Sequence, residues 1–318
     1  LVGSEMCIRD RVNPFQSTIT LPDPPNSISS SFKALDAGDS TVCAIRKNGK
    51  LSCWGLDDQG QSTPPNGVYQ SLSVGERHAC AIKQDGRIAC WGESSAYPDL
   101  NARKGKFSQI TAGDRHTCAL IRGSGIARCW GNNDYGELNV PPARFKKIDA
   151  RANQTCGITR DDSLICWGQE SFVNYVPQAG QYVDVSVGIH HACAIRKTDL
   201  GISCWGNRAQ GQTSAPLGSF QSIASGSFHS CGQRTDGSIL CWGSNVFGQL
   251  DTPLEPSKRI AAGGVLSCGL DTNDRIWCRG GFAYNPFLFQ QFANLNAQAL
   301  TSTESGQQPK FLPFAFLG

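Results

Sequence analysis

Residues 107–142 read FSQITAGDRHTCALIRGSGIARCWGNNDYGELNVPP, and variants of this stretch recur along the chain. Its two cysteines set the beat. The first members of the pairs are Cys43, Cys80, Cys118, Cys156, Cys193, Cys231 and Cys268, each 37 or 38 residues after the last. The second members, Cys53, Cys90, Cys129, Cys166, Cys204, Cys241 and Cys278, follow ten or eleven residues later. A fixed period of this length means one supersecondary unit copied seven times.

Each copy divides into four segments. The first is a short strand ending in Gly, such as FSQITAG. Its aliphatic position is Leu35, Leu72, Ile110, Ile148, Val185, Ile223 or Ile260. Six copies place an aromatic three residues earlier: Phe32, Tyr69, Phe107, Phe145, Tyr182 and Phe220. On a regular two-residue pleat an odd spacing predicts opposite faces. The second and third segments form a hairpin, CAIRKNGKLSCWG at residues 43–55, with turns Asn48-Gly49, Asp85-Gly86 and Asp236-Gly237. A three-residue loop with a left-handed Gly49 would set Arg46 opposite Lys50, and hence Cys43 opposite Cys53. Asp162 and Asp274 replace that Gly in copies four and seven, and Asp tolerates the left-handed conformation. The fourth segment opens with Trp-Gly and reaches a second Gly at 60, 136, 211 and 248, followed by Gln or Glu.

Four short strands per copy and no helical period predict an all-β, seven-bladed β-propeller of four-stranded blades. A solenoid with the same repeat is the alternative. The register predicts one disulfide within each blade and none between blades. A ring of buried free thiols is the alternative, but all seven copies hold both members. The spacing does not suit zinc, whose paired ligands sit closer together. Asp57-Asp58-Gln59-Gly60 lacks calcium-loop spacing, so no metal or cofactor is expected.

The motif Gly-x-x-His…Asp-Gly…Trp-Gly-x-Asn-x-x-Gly-Gln-Leu resembles the regulator of chromosome condensation repeats. Copy six, SGSFHSCGQRTDGSILCWGSNVFGQL, matches nearly throughout, and the resemblance spans about residues 31–281. It implies the propeller and leaves function open among nucleotide exchange, chromatin docking, β-lactamase inhibition and receptor ectodomains. Two cysteines per copy look most like the secreted members and the Crinkly-type receptor ectodomains. Copies two and four have Tyr97 and Val173 where Gly is expected, and copy seven lacks the Trp-Gly.

Net charge is +3 and charged residues are 17%, with no basic stripe, so no nucleic-acid partner is expected. No apolar run reaches the roughly 20 residues that span a bilayer. Residues 1–12 resemble translated sequencing-adapter read-through, and Cys7 alone falls outside the repeat. The propeller is placed at residues 13–291, with closure by a strand from 17–21 or 283–289. Residues 292–318 read as a polar linker and tail.

No Ser/His/Asp set or phosphate loop appears, so the protein is not expected to be an enzyme. His78, His116, His191 and His229 share one repeat position, which marks scaffold. Six tryptophans in Cys-Trp-Gly are expected in blade packing, with Trp277 displaced to the other face. The expected function is a monomeric, non-enzymatic binding module, extracellular, at the cell surface or periplasmic, that recognises another protein or macromolecule. An intracellular guanine-nucleotide exchange factor and a secreted enzyme inhibitor are the alternatives. In a meander, the Gly-x-x-His and Trp-Gly loops emerge on one face. Its most variable positions nominate Arg77, Arg115, Tyr135, Phe172, His190, Arg208, Phe228 and Phe247 as the contact ring, since loops on a rigid scaffold carry binding residues.

Overall fold

The turn chemistry of the hairpins reappears in three dimensions. In the computed structural model, residues 31–93, 105–169 and 180–281 are described. They form seven three-stranded antiparallel sheets. The first holds β1 (Phe32–Ala37), β2 (Thr41–Arg46) and β3 (Leu51–Gly55). The second holds β4 (Tyr69–Val74), β5 (His78–Lys83) and β6 (Ile88–Gly92). The third holds β7 (Phe107–Ala112), β8 (His116–Ile121) and β9 (Ala127–Gly131). The fourth holds β10 (Phe145–Arg151), β11 (Gln154–Thr159) and β12 (Leu164–Gly168). The fifth holds β13 (Tyr182–Val187), β14 (His191–Arg196) and β15 (Ile202–Gly206). The sixth holds β16 (Phe220–Ser225), β17 (His229–Arg234) and β18 (Ile239–Gly243). The seventh holds β19 (Ser257–Ala262), β20 (Leu266–Asp271) and β21 (Ile276–Gly280).

The first strand of each sheet lies beside the first strand of the next, and β19 lies beside β1, so the sheets are blades around an axis. All seven hairpins put their cysteines directly opposite one another, and all seven pairs are disulfide-bonded within the blade. The hairpin tip carries a left-handed residue in every blade: Gly49, Gly86, Gly125, Asp162, Leu200, Gly237 and Asp274. The carbonyl of that residue accepts a bond from the first strand of the next blade. Tyr69 N donates to Gly49 O at 2.8 Å, and Phe32 N to Asp274 O at 3.0 Å. The last bond joins blade seven to blade one, so the seam is bonded like the other joints. The proposed closing strands, 17–21 and 283–289, lie outside the described residues.

Two expectations are corrected. The fourth segment is not a strand in the four blades where it is described. Residues 56–68, 132–144, 207–219 and 244–256 form turns and irregular backbone, with one isolated bridge between Arg144 and Ile126. Local side-chain bonds take up the donors a ladder would use. Asp57 Oδ1 accepts from Ser62 N, Asn133 Oδ1 from Leu138 N and Asn245 Oδ1 from Leu250 N, all at 2.8 Å. Prolines further along remove other donors. The second correction concerns the first strand. Every first strand shifts register after its opening residue, as between Phe145 and Lys147. One extra residue reverses the alternation, so aromatic and aliphatic positions share a face. Phe145 and Ile148 both lie over Gly157, whose missing Cβ leaves room for the ring.

That shared face builds the core between blades. Cys118 and Leu120 of blade three pack with Phe145, Ile148 and Trp167 of blade four. The same arrangement joins blades one and two, two and three, four and five, and five and six, and Cys268 of blade seven packs with Trp54 of blade one. Blade seven has Ser257 where the others have an aromatic. The displaced Trp277 lies against Gly269 and donates from Nε1 to Ser257 Oγ at 2.9 Å. Its indole fills the place of the missing ring.

The axis is lined by polar side chains that stitch neighbouring blades. Asp36 Oδ2 accepts from Val74 N at 2.8 Å, and Asp149 Oδ2 from Val187 N at 2.7 Å. Ser73, Thr111 and Ser186 do the same with their hydroxyls. Burial raises the pKa of Asp36 and pushes that of Asp149 up to about 6. The cavity they line measures ≈ 130 Å³.

Candidate binding face

Each blade presents two loops at the end of the ring away from the hairpin tips. The first follows the inner strand and carries Gly-x-x-His in blades two, three, five and six. The second follows Trp-Gly. One backbone bond ties them in every blade. Leu56 N donates to Ser40 O, Glu93 N to Arg77 O, Asn132 N to Arg115 O, Gln169 N to Asn153 O, Asn207 N to His190 O, Ser244 N to Phe228 O and Gly281 N to Val265 O, at 2.8–3.1 Å. The bond demands the glycine of Trp-Gly. Gly243 has φ +105, and a Cβ there would lie 2.5 Å from Phe228 O and 2.8 Å from His229 Cα. Gly243→Ala should therefore cost about 3 kcal/mol or more. Gly60→Ala, at φ +80 with nothing within 4 Å, should cost only about 1 kcal/mol. Urea unfolding of the two variants checks the contrast; equal losses would refute it.

Beneath the loops the histidines are buried and bonded across the blade joint. His78 Nε2 pairs with Thr117 Oγ1, His116 with Thr155, His191 with Ser230 and His229 with Ser267, at 2.7–2.9 Å. Burial lowers their pKa values to about 4, 3, 3 and 4 respectively. The glycine of Gly-x-x-His leaves room for the ring: a Cβ on Gly188 would meet His191 Cε1 at 2.6 Å. A second latch joins the Trp-Gly loop to the next blade. Trp91 Nε1 donates to Gln61 O, Trp167 to Glu137 O and Trp242 to Gln212 O, at 2.9–3.0 Å. Histidine and tryptophan therefore hold the loops in place from below.

The nominated residues sit on this framework unequally. Tyr135 is 52% exposed and Phe228 39%. Phe228 lies beside His190, ring centroids 5.5 Å apart. Arg115 and Arg208 are exposed, and Phe247 is half-buried. Arg77 is engaged by Asp58 at 3.4 Å and Glu93 at 3.6 Å. Both Arg77 and Arg115 act on the Glu76 carboxylate, so those two loops adjoin. Tyr135, Arg208 and Phe247 stand on loops of separate blades. Phe172 lies outside the described residues.

Sequence reasoning missed three features of the face. Val246 is 77% exposed beside Phe247, extending the apolar side over blade six. Asp39, Glu76 and Asp114 form an acidic arc over blades one to three. Burial, then repulsion from Asp39 and Glu76, pushes the Asp114 pKa up to about 6, and burial followed by Asp39 raises that of Glu76. Arg151 fills the channel mouth. It occupies the position that is Gly in the other copies, and this departure was its only signal. Its guanidinium reaches from blade four to the opposite joint, donating to Ala37 O at 3.2 Å, Ala262 O at 3.3 Å and Asp39 Oδ1 at 2.7 Å.

Fold and loops define a propeller of seven cystine-bridged blades carrying one rigid loop face. Residues 32–61, 69–97, 107–137 and 220–249, within copies one, two, three and six, match the family described as Regulator of chromosome condensation (RCC1) repeat. The entire ectodomain of the Physcomitrella patens receptor kinase CR4 is similar in structure. Its TM-score is 0.69 at 25% identity, over 79% of this chain and 74% of that one. The CRINKLY WD40 ectodomain of the Arabidopsis thaliana receptor kinase ACR4 gives 0.65 at 22% identity, over 79% and 96%. Prp20p of Saccharomyces cerevisiae, whose structure was described with its binding to Gsp1p and histones, gives 0.61 at 14%, over 83% and 85%. No curated protein matches the chain in sequence. Among the described residues no helix is long and apolar enough to cross a membrane.

Proposed function

We propose that the chain is a non-enzymatic, extracellular binding module, monomeric, that recognises another protein through the face formed by the Gly-x-x-His and Trp-Gly loops. The observation that carries this reading is the backbone bond between the two loops, repeated in all seven blades. It gives variable side chains a fixed platform, and preorganised loops bind without the cost of ordering. The seven disulfides favour an oxidising compartment. The similarity to a receptor-kinase ectodomain points the same way. The intracellular exchange-factor reading has the yeast propeller in its favour and the cystines against it. Exposed Tyr135, Phe228, His190, Arg115 and Arg208 suit a protein partner, since aromatic and Arg side chains are enriched at interfaces.

A photo-crosslinking residue at Tyr135 or Phe228 should capture an extracellular protein, whereas one at Asn48 or Asp85 on the hairpin tips should not. Replacing Tyr135, Phe228 and Phe247 together by Ala should weaken capture at least tenfold, as the loss of one or two aromatic anchors does. The melting temperature should stay nearly unchanged. Capture from the hairpin tips alone would assign the wrong face.

A further inference from the structure

The four described Trp-Gly loops end in a fully buried residue: Gln61, Glu137, Gln212 and Gln249. In each, one side-chain oxygen accepts the N–H two residues earlier. Gln59 N donates to Gln61 Oε1, Tyr135 N to Glu137 Oε2, Gln210 N to Gln212 Oε1 and Phe247 N to Gln249 Oε1, at 2.8–2.9 Å. That fixes the other terminal atom. It is Nε2 in the glutamines and Oε1 in Glu137.

Where the glutamines show their second bond, Nε2 donates to a loop oxygen. Gln61 Nε2 bonds Asp58 Oδ1 at 2.8 Å, and Gln212 Nε2 bonds Asn207 Oδ1 at 3.4 Å. The residues at those two places in blade three are Asp134 and Asn132, which also bear oxygens. In blade three the atom in that donor's place is a carboxylate oxygen. Glu137 Oε1 is buried and has no hydrogen-bond partner among the described residues. A buried carboxylate persists only with a partner. Asp134 is held toward the loop by Asn132 Nδ2, which donates to Asp134 Oδ2 at 2.8 Å. Asn132 Oδ1 accepts from Asp134 N at 2.7 Å and keeps a second lone pair. No lysine or arginine among the described residues forms an ion pair with either carboxylate.

We propose that the blade-three loop Asn132–Glu137 binds a calcium ion through Glu137 Oε1, the Asp134 carboxylate and Asn132 Oδ1. An all-oxygen donor set on a loop suits a hard cation that accepts irregular coordination, and water and backbone carbonyls complete its shell. Two carboxylates place the affinity in the range of extracellular calcium modules, about 10⁻⁴–10⁻³ M. The ion joins two features already described. Glu137 O accepts the Trp167 indole of the next blade, and Tyr135 lies between the two acidic ligands in sequence. Calcium therefore firms the joint between blades three and four and fixes the exposed Tyr135 of the nominated face.

Terbium(III) replaces calcium at such sites and emits when a nearby indole is excited, and Trp167 is hydrogen-bonded to Glu137. The purified protein should sensitise terbium emission, calcium should compete it away, and calcium should raise the melting temperature. Glu137→Gln gives blade three the side chain that blades one, five and six use, so it should fold. In it the emission and the calcium shift should vanish, with metal-free stability equal to or above the parent. Asp134→Asn should weaken both responses. If Glu137→Gln keeps them, or the parent shows neither, the proposal fails.

Discussion

Full reduction of the seven disulfides should unfold the propeller without added denaturant. Each bridge closes a loop of about eleven residues, worth roughly 2–3 kcal/mol in the chain-entropy model. That is an upper bound, because the hairpin already holds the ends. Even about 1 kcal/mol per bridge approaches the whole stability of an ordinary domain, about 5–15 kcal/mol. The bridges also belong to the core. Cys43, Cys80, Cys118, Cys156, Cys193 and Cys268 are wholly buried, against the tryptophan of a neighbouring blade in several cases. Reductant alone should act slowly, since it needs the blades to open first. Tryptophan fluorescence with alkylation mass analysis follows both events. A fully reduced protein with an unchanged melting temperature would contradict the expectation.

Acid should destabilise the protein well before its ordinary carboxylates titrate. The four buried imidazoles have folded pKa values of about 3 to 4 against 6.5 unfolded. A depressed pKa contributes stability that is present above the unfolded value and lost as pH falls toward the folded one. From about pH 7.5 to about pH 5, each imidazole costs about 2 kcal/mol, because only the unfolded chain takes the proton. Asp149, whose pKa is raised to about 6, works in the opposite sense: its contribution is present below the unfolded carboxylate value and lost as pH rises through 6. It returns about 1 kcal/mol over the same window, and Asp36 and Asp114 act in the same direction. The imidazoles win, with a net loss on the order of 5 kcal/mol. Urea midpoints across this range measure it. His116→Gln should lower stability at neutral pH and flatten the slope; an unchanged slope would mean that the histidines are not its source.

Period, hairpin register and disulfide pairing were all legible, because they depend on residues close together in one copy. The Gly or Asp at six of the seven turns and the cysteine count settle them. What failed depends on interruptions or on neighbours. The bulge after Phe32, Tyr69 and their counterparts leaves no mark in composition, so strict alternation assigned Phe145 and Ile148 to opposite faces. The fourth segment has strand-like length, but Asp57, Asn133 and Asn245 bond their own backbone and hold it in turns. Among the nominated contacts, His190 and Phe228 come together, whereas Arg77 is partly spent on Asp58 and Glu93. Arg151 needed the ring itself. Nothing near it in sequence indicates that its guanidinium meets Ala37, Asp39 and Ala262 across the axis.

The histidine bonds have a consequence for the order of the copies. A His in copies two, three, five and six is always followed, one copy on, by Thr117, Thr155, Ser230 or Ser267. Where the preceding copy has Leu266, Thr41 or Gln154 instead, the same place holds Val42, Ala79 or Ala192. The blades are alike in outline but matched edge to edge, like numbered staves of a barrel. Exchanging copy four with copy five would set His116 against Ala192 and leave a buried imidazole nitrogen without its hydroxyl. The sequence therefore encodes the shape of each blade and also which blade stands beside it.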